Sequence, residues 1–260
     1  MTSLARLSNL KPVTCNLMSK LSDRIRRASK AEPAPFGFAA AARRAPSPTL
    51  MTVVRLSADE AGKAGDAGKA GADAVIVSGD AGKLKEAGDA ILGAAPDKSD
   101  RKSVAALRDA GADFVVLSPD APAEAMLEEK IGFVLELRTE LDDTHLRLLA
   151  DLTLDAVIVP GPKAPFTVER LLDLRRVAAL ARAPLLVEDD GNADTPLLQL
   201  LRESGVAGIV VGASAIGKLG ELRERITSIP ARGKRREEHA EALVPAQAQG
   251  HDHGDDDDDD

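Results

Sequence analysis

A short sequence unit recurs along the chain: glycine, alanine and aspartate, followed by a run of β-branched or aromatic residues. It occurs at 71–79 and 111–119, in a looser form at 205–212, and without the leading glycine at 154–161. The apolar runs are continuous rather than alternating, which is typical of strands buried on both faces of a parallel sheet. The glycine stands where the preceding helix must end, at a position that favours the left-handed conformation. The unit therefore predicts buried strands that alternate with helices.

Three further apolar runs extend this series to seven predicted strands. They are 49–57, 131–138 and 184–189. Successive strand starts are then spaced regularly, except that the starts near 73 and 112 are separated by almost two units. The polar segment 95–102 between them has no strand-like run, so we expect an eighth unit whose strand is lost or vestigial. A short strand at 35–38 would change this count and is left open.

Alternating strands and helices predict an α/β fold with a parallel sheet. Eight units across residues 49–228 favour a (β/α)8 TIM-barrel-like domain with one weakened or missing strand. The alternative is an open doubly wound parallel sheet, which the apparent loss of one strand keeps in consideration.

The last repeat carries the clearest chemical motif. Ile209-Val210-Val211-Gly212-Ala213-Ser214-Ala215-Ile216-Gly217 resembles the end of strand eight in phosphate-binding TIM barrels of the aldolase-type superfamily, which includes ribulose-phosphate-binding and FMN-linked enzymes. Small residues after a strand let backbone N–H groups approach a phosphate. The resemblance implies that Gly212, Ala213 and Ser214 bind phosphate, with Gly191 in the loop after strand seven. It also implies a degenerate member that acts on a phosphorylated small molecule, with FMN as the conceivable cofactor.

Charged residues interrupt the apolar runs near the ends of three predicted strands. They are Arg55, Glu136, Arg138 and Glu188. Glu136 and Arg138 are two residues apart and share one face of their strand. If this face is the barrel lumen, the four form an ionic cluster at the catalytic mouth, where arginine holds an anion and glutamate moves a proton. The alternative is a structural layer of ion pairs, and the sequence leaves open whether the protein is an enzyme at all.

Charge is concentrated at the two ends of the chain. Residues 1–48 carry nine basic and two acidic residues, whereas the last ten residues include seven aspartates. Blocks of like charge usually stay solvated. We therefore expect a basic extension at 1–48, the barrel at 49–228, and a disordered charged tail at 229–260 that ends in poly-Asp. A non-catalytic barrel that serves as a binding or scaffold protein is the alternative function.

The N-terminal extension contains a predicted amphipathic helix at 16–27. Leu17, Leu21 and Ile25 share one face, and Lys20 and Arg24 lie on another. Such a helix can dock on the domain, lie on an anionic membrane surface, or act as a targeting peptide. No signal-peptide hydrophobic region is visible, so we expect a cytoplasmic location, with membrane-peripheral attachment through 16–27 as the alternative.

Composition excludes several classes. The single cysteine, Cys15, excludes an internal disulfide and a cysteine-built metal site, and no other metal site is predicted. Tyrosine and tryptophan are absent, which argues against an aromatic platform for nucleic acid, so no specific nucleic-acid partner is expected. A homo-oligomer is left open.

Overall fold

Eight parallel strands close into a barrel in the computed structural model, which describes residues 19–29, 49–84, 87–162 and 164–230. The strands pair in chain order, and the last pairs with the first. The strands are β1 (Met51–Leu56), β2 (Ala74–Ser78), β3 (Ile91–Ala95), β4 (Phe114–Leu117), β5 (Gly132–Glu136), β6 (Ala156–Val159), β7 (Leu185–Asp189) and β8 (Val206–Gly212). This closure confirms the barrel and removes the open sheet.

One helix precedes β1, and the others follow strands and cover the outside of the barrel. They are α1 (Lys20–Ser29), α2 (Ala64–Lys69), α3 (Arg101–Asp109), α4 (Asp143–Leu149), α5 (Val168–Ala181), α6 (Thr195–Glu203) and α7 (Leu219–Thr227), with 3-10 helices at Ala58–Lys63, Ala81–Lys83, Ala123–Leu127 and Ala213–Lys218. Aspartate or threonine side chains cap α3, α4, α5 and α6. Gly71, Gly111 and Gly205 have positive φ, which confirms their predicted role after helices.

The prediction of a lost or vestigial strand is wrong. β3 (Ile91–Ala95) pairs with β2 along all five residues, and Gly93 and Ala94 pair with β4. The sequence pattern does not indicate this strand, because Ile-Leu-Gly-Ala-Ala has one β-branched residue and a central glycine. A Cβ at Gly93 would lie 2.2 Å from the ring of Phe114. The glycine that weakens the strand signal therefore makes room for Phe114, a phenylalanine of the barrel interior.

Two apolar layers lie on opposite sides of the barrel wall. The inner layer fills the lumen with alternate residues of the strands, including Val53, Ile76, Phe114, Ile158 and Leu186. The outer layer packs the remaining strand residues against the surrounding helices. The continuous apolar runs thus face a core on both sides, as predicted.

Helix α1 closes the amino-terminal end of the barrel. Leu21 and Ile25 are 0% and 4% exposed and belong to the lumen cluster. Residues 16–18 of the predicted helix lie outside the described residues. Two of the three residues of the predicted apolar face, Leu21 and Ile25, are therefore buried against the barrel, and the third, Leu17, lies outside the described residues.

The aspartates of the repeat hold α1 in place. Asp73, Asp113 and Asp155 precede β2, β4 and β6. The Oδ2 atoms of Asp73 and Asp113 accept hydrogen bonds from the backbone N–H groups of Thr52 (2.9 Å) and Leu92 (3.3 Å).

Two residues of α1 and the residue before it lie beside these three carboxylates. Asp73 Oδ1 accepts a hydrogen bond from Arg24 Nε at 3.1 Å, and Asp113 Oδ1 lies 2.6 Å from Lys20 Nζ. Ser19, whose Oγ accepts the N–H of Ser22 in the first turn of α1, lies near Asp155 beside Gly132. The aspartate of the repeat therefore stands directly before a strand and, at Asp73 and Asp113, also contacts α1.

Several sequence predictions lie outside the described residues. These are the strand at 35–38, most of the basic extension and the charged tail beyond Pro230. None of the helices in the described ranges is long and apolar enough to cross a membrane.

Candidate functional site

Three charged side chains meet inside the carboxyl-terminal end of the barrel. Arg55 reaches across the lumen from β1 to Glu136 on β5, with Nη1–Oε1 and Nη2–Oε2 distances of 2.9 and 3.0 Å. Arg55 Nη1 also donates to Glu188 Oε1 on β7 at 2.9 Å. Arginine fits a carboxylate through two parallel hydrogen bonds, so Glu136 fixes the orientation of the Arg55 guanidinium.

The strand alternation explains why these residues meet. Arg55, Glu136 and Glu188 each lie two residues beyond an inward-facing apolar residue of β1, β5 or β7. TIM-barrel interiors are built from layers to which alternate strands contribute. The inward-facing residue at the end of β3 is Ala95. The structure brings Arg55, Glu136 and Glu188 together.

Arg138 completes the predicted group from the segment after β5. Its Nη2 lies 3.3 Å from Glu136 Oε1, and its side chain is 77% exposed. It is thus the member of the cluster that is most accessible from solvent. The structure therefore brings all four predicted charged residues together.

The two glutamates differ in their surroundings. Burial, the largest single influence, raises the pKa of Glu136, but the hydrogen bonds and charge of Arg55, with a smaller effect of Arg138, bring this pKa below its ordinary value. Glu136 is therefore an anion that holds arginine, and it is a poor proton donor near neutral pH. Glu188 is more open, with a 40% exposed side chain that contacts Arg55 through one oxygen.

Gly212 lies beside this cluster at the end of β8. It pairs with Arg55 in the register of β8 and β1. Its φ is −77°, which any residue can adopt, and the nearest atom to a Cβ placed there would be Ser214 Oγ, 4.0 Å away. Neither the backbone nor the packing of the chain requires glycine at this position. The space in front of Gly212 is open to solvent, and Ala213 and Ser214 follow it in the first turn of a 3-10 helix.

Gly191 lies against the same turn, in the loop after β7. Its φ is +83°, and a Cβ there would lie 2.9 Å from the Cβ of Ala215. Its N–H donates to Asp189 Oδ2 at 2.7 Å. The neighbouring N–H of Asn192 donates to Asp190 Oδ1 at 2.9 Å. Gly191 therefore shapes the wall beside Gly212, but its own N–H is already engaged by a carboxylate.

The sequence does not reveal a cavity that opens beside Arg138. It has a volume of about 440 Å³ and lies between the loops after β5 and β6 and the helices α4 and α5. Its walls are mostly apolar and include Leu137, Leu141, Leu146, Val159, Leu174 and Val177. These residues come from four separate elements, so no local sequence pattern indicates the cavity.

Comparisons with known proteins identify the fold. No family model matches the sequence, and no curated protein matches it significantly. Among solved structures, a thiamine phosphate pyrophosphorylase from Pyrococcus furiosus is similar over 71% of this chain and 98% of its own, with 15% identity and a TM-score of 0.51. A mutant tryptophan synthase α-subunit from the same hyperthermophile covers 69% of this chain and 97% of its own, with 15% identity and a TM-score of 0.52. At this identity the similarity shows the fold that the sequence resemblance implied.

Proposed function

We propose that this protein binds a phosphorylated small molecule at the carboxyl-terminal mouth of its barrel. The observation that carries the proposal is the open space in front of Gly212, directly beside Arg55 in the strand register. A glycine that the chain itself does not require is explained by a ligand that approaches the backbone closely. The carboxyl-terminal face is where TIM-barrel proteins build their ligand sites.

The residues at the mouth have separate roles in this proposal. The backbone around Gly212, Ala213 and Ser214 receives the phosphate, and Gly191 shapes the adjoining wall. Arg55 faces the rest of the ligand, with Glu136 holding Arg55 in position. If the protein catalyses a reaction, Glu188 is the group for proton transfer, because it is exposed and contacts Arg55 through one of its two oxygens.

A small phosphate ester fits the mouth better than FMN. The phosphate group of FMN matches the open turn at Gly212, but its ring system needs an apolar surface. The inward layer beside Gly212 holds Arg55, Glu136 and Glu188, which are mutually paired charges. We therefore infer a ligand with a polar body. The name of one structural neighbour, a thiamine phosphate pyrophosphorylase, also refers to a phosphorylated compound.

A binding protein without catalysis is the second candidate. The pairing of Arg55 with both glutamates favours it, because these ion pairs would have to break or shift before their groups could act on a substrate. The binding protein and the enzyme would use the same binding site, and only the enzyme would convert its ligand into a product.

Absorbance and calorimetry test this proposal together. Amino-acid side chains do not absorb visible light, so flavin-like visible bands in the native protein would report a bound flavin and would overturn the preference for a small ester. Calorimetric titration with ribose 5-phosphate and with ribose then measures the contribution of the phosphate. We expect the ester to bind and ribose not to bind. Equal affinities, or binding of neither compound, would contradict the proposal.

A further inference from the structure

The cavity beside Arg138 has the properties of a second ligand site, distinct from the proposed phosphate site. It lies outside the barrel wall, because Leu137 and Val159 face the outer apolar layer with Leu146 and Leu174. The proposed phosphate site lies on the lumen side, at the end of β8. The volume of about 440 Å³ is within the range of small-molecule pockets.

The rim of the cavity is charged and carries an excess of positive charge. Arg138, Arg170 and Arg176 lie on it, with Glu140 and Asp173 as the acidic members. Among these lining residues the arginines outnumber the carboxylates by three to two.

The three arginines are not equally available to a ligand. Arg176 donates to Asp143 Oδ1 at 2.6 Å and to the carbonyl of Leu141 at 2.9 Å. Arg170 donates to the carbonyl of Pro160 at 2.9 Å. Arg138 is 77% exposed and has one ion-pair contact, to Glu136 at 3.3 Å. Arg138 is therefore the rim cation that can turn towards a ligand at the smallest loss of existing contacts.

We propose that this cavity binds an amphipathic monocarboxylate, with its apolar body between α4, α5 and the barrel wall and its carboxylate on Arg138. Burial of the ligand's apolar body against the walls favours binding, and hydrogen bonds from the guanidinium fix the orientation of the carboxylate. A single carboxylate suits the rim better than a phosphate dianion, because Glu140 and Asp173 lie beside the arginines. This proposal does not depend on phosphate binding at Gly212.

A series of straight-chain carboxylates from butyrate to octanoate tests the apolar part of the proposal. Each buried methylene contributes about 0.8 kcal/mol, so the dissociation constant should fall about fourfold per methylene until the cavity is filled. Isothermal titration calorimetry of the full chain should give one site per molecule. Absence of binding by octanoate, or an affinity independent of chain length, would overturn the proposal.

The variant Val177→Phe tests the location. Val177 is half-buried and lines the cavity, so the larger ring should abolish octanoate binding. If Val177→Phe does not fold, Leu141→Glu places a carboxylate on the half-buried wall and should have the same effect. Unchanged binding in a folded variant would show that octanoate binds elsewhere.

The variant Arg138→Gln tests the role of the charge. A hydrogen bond to a charged group contributes about 1.5 kcal/mol at an exposed site, so octanoate should bind about tenfold more weakly. Octanol, which has the same chain without charge, should bind Arg138→Gln and the wild type within twofold of each other. Arg175→Gln is the matched control, since Arg175 is exposed on α5 but does not line the cavity. An equal loss in Arg175→Gln, or an equal loss for octanol, would overturn the assigned role of Arg138.

Discussion

Arg55 and Glu136 form a two-point hydrogen-bonded ion pair across the barrel lumen, with distances of 2.9 and 3.0 Å. The same guanidinium also holds Glu188. One arginine from β1 therefore connects two strands that it does not adjoin in the sheet. The ion pairs of Arg55 at the carboxyl-terminal mouth should therefore also stabilise the barrel against unfolding.

Replacing Arg55 with methionine should lower the free energy of unfolding, because both glutamates lose the cation that they share. In Arg55→Met, Glu136 and Glu188 face each other without the shared arginine. Since removing one partner of a buried pair costs about 3–5 kcal/mol, we expect about 2–3 kcal/mol of destabilisation in this partly open site. Urea unfolding at neutral pH measures the change. A loss below about 0.5 kcal/mol, as at ordinary surface positions, would show that the pairing is energetically unimportant.

The pH dependence of stability should reveal the lowered pKa of Glu136. A carboxyl group whose pKa is lower in the folded state stabilises the fold above its ordinary pKa, 4.5, and loses this contribution as the pH falls through the lowered value. The free-energy difference between the wild type and Glu136→Gln should therefore be constant near neutral pH and shrink below about pH 4.5. A difference that grows on acidification would contradict the assigned direction of the shift.

Helix α1 should contribute strongly to barrel stability. Leu21 is fully buried in the lumen cluster, so Leu21→Ala should cost about 2–5 kcal/mol in free energy of unfolding. Leu172→Ala is the control, because Leu172 is 59% exposed on α5 and should change stability by less than about 0.5 kcal/mol. If the two variants unfold alike in urea, the docking of α1 does not stabilise the barrel.

Neutralising two equivalent aspartates of the repeat, Asp155 and Asp113, should change the melting temperature in opposite directions. Burial, only partly offset by hydrogen bonds from Ser19 and the backbone of Phe133, raises the pKa of Asp155, and its Oδ2 is buried without a hydrogen-bond partner among the described residues. Since a raised pKa means that the ionised form is disfavoured in the fold, Asp155→Asn should raise the melting temperature at neutral pH. This gain should vanish as the pH falls through the raised pKa and the wild-type carboxyl becomes protonated.

Asp113→Asn provides the comparison at the same position of the repeat. Asp113 pairs with Lys20 at 2.6 Å and accepts the N–H of Leu92, so its neutralisation should lower the melting temperature. Thermal unfolding of both variants checks the contrast. Two shifts of the same sign would contradict the different environments assigned to these carboxylates.

The barrel is predictable from the sequence because its strands repeat at regular intervals and are apolar on both faces. The convergence of Arg55, Glu136 and Glu188 is predictable for a related reason: each interrupts an apolar run at the same end of a parallel strand. β3 is not recognisable because Gly93 is dictated by the ring of Phe114, a contact 21 residues away in sequence.

Two features of the mouth depend on contacts that the sequence does not show. The engagement of the Gly191 N–H by Asp189 depends on the turn conformation. The cavity beside Arg138 is formed by loops and helices that meet only in the folded chain. Local patterns therefore predict the layers of the barrel, whereas the spaces between its elements require the structure.

The most direct test of the account is phosphate-ester binding by Gly212→Val. A side chain at Gly212 meets no atom of the chain closer than 4.0 Å, so this variant should fold with nearly unchanged stability. The added side chain should fill the space in front of the turn and weaken ribose 5-phosphate binding at least tenfold. Gly217→Val is the matched control: Gly217 lies in the 3-10 helix that follows Gly212, and a Cβ placed there has no atom of the described residues within 4 Å. Loss of binding in Gly212→Val alone is the predicted result; equal binding by the wild type and both variants would contradict the placement of the phosphate site.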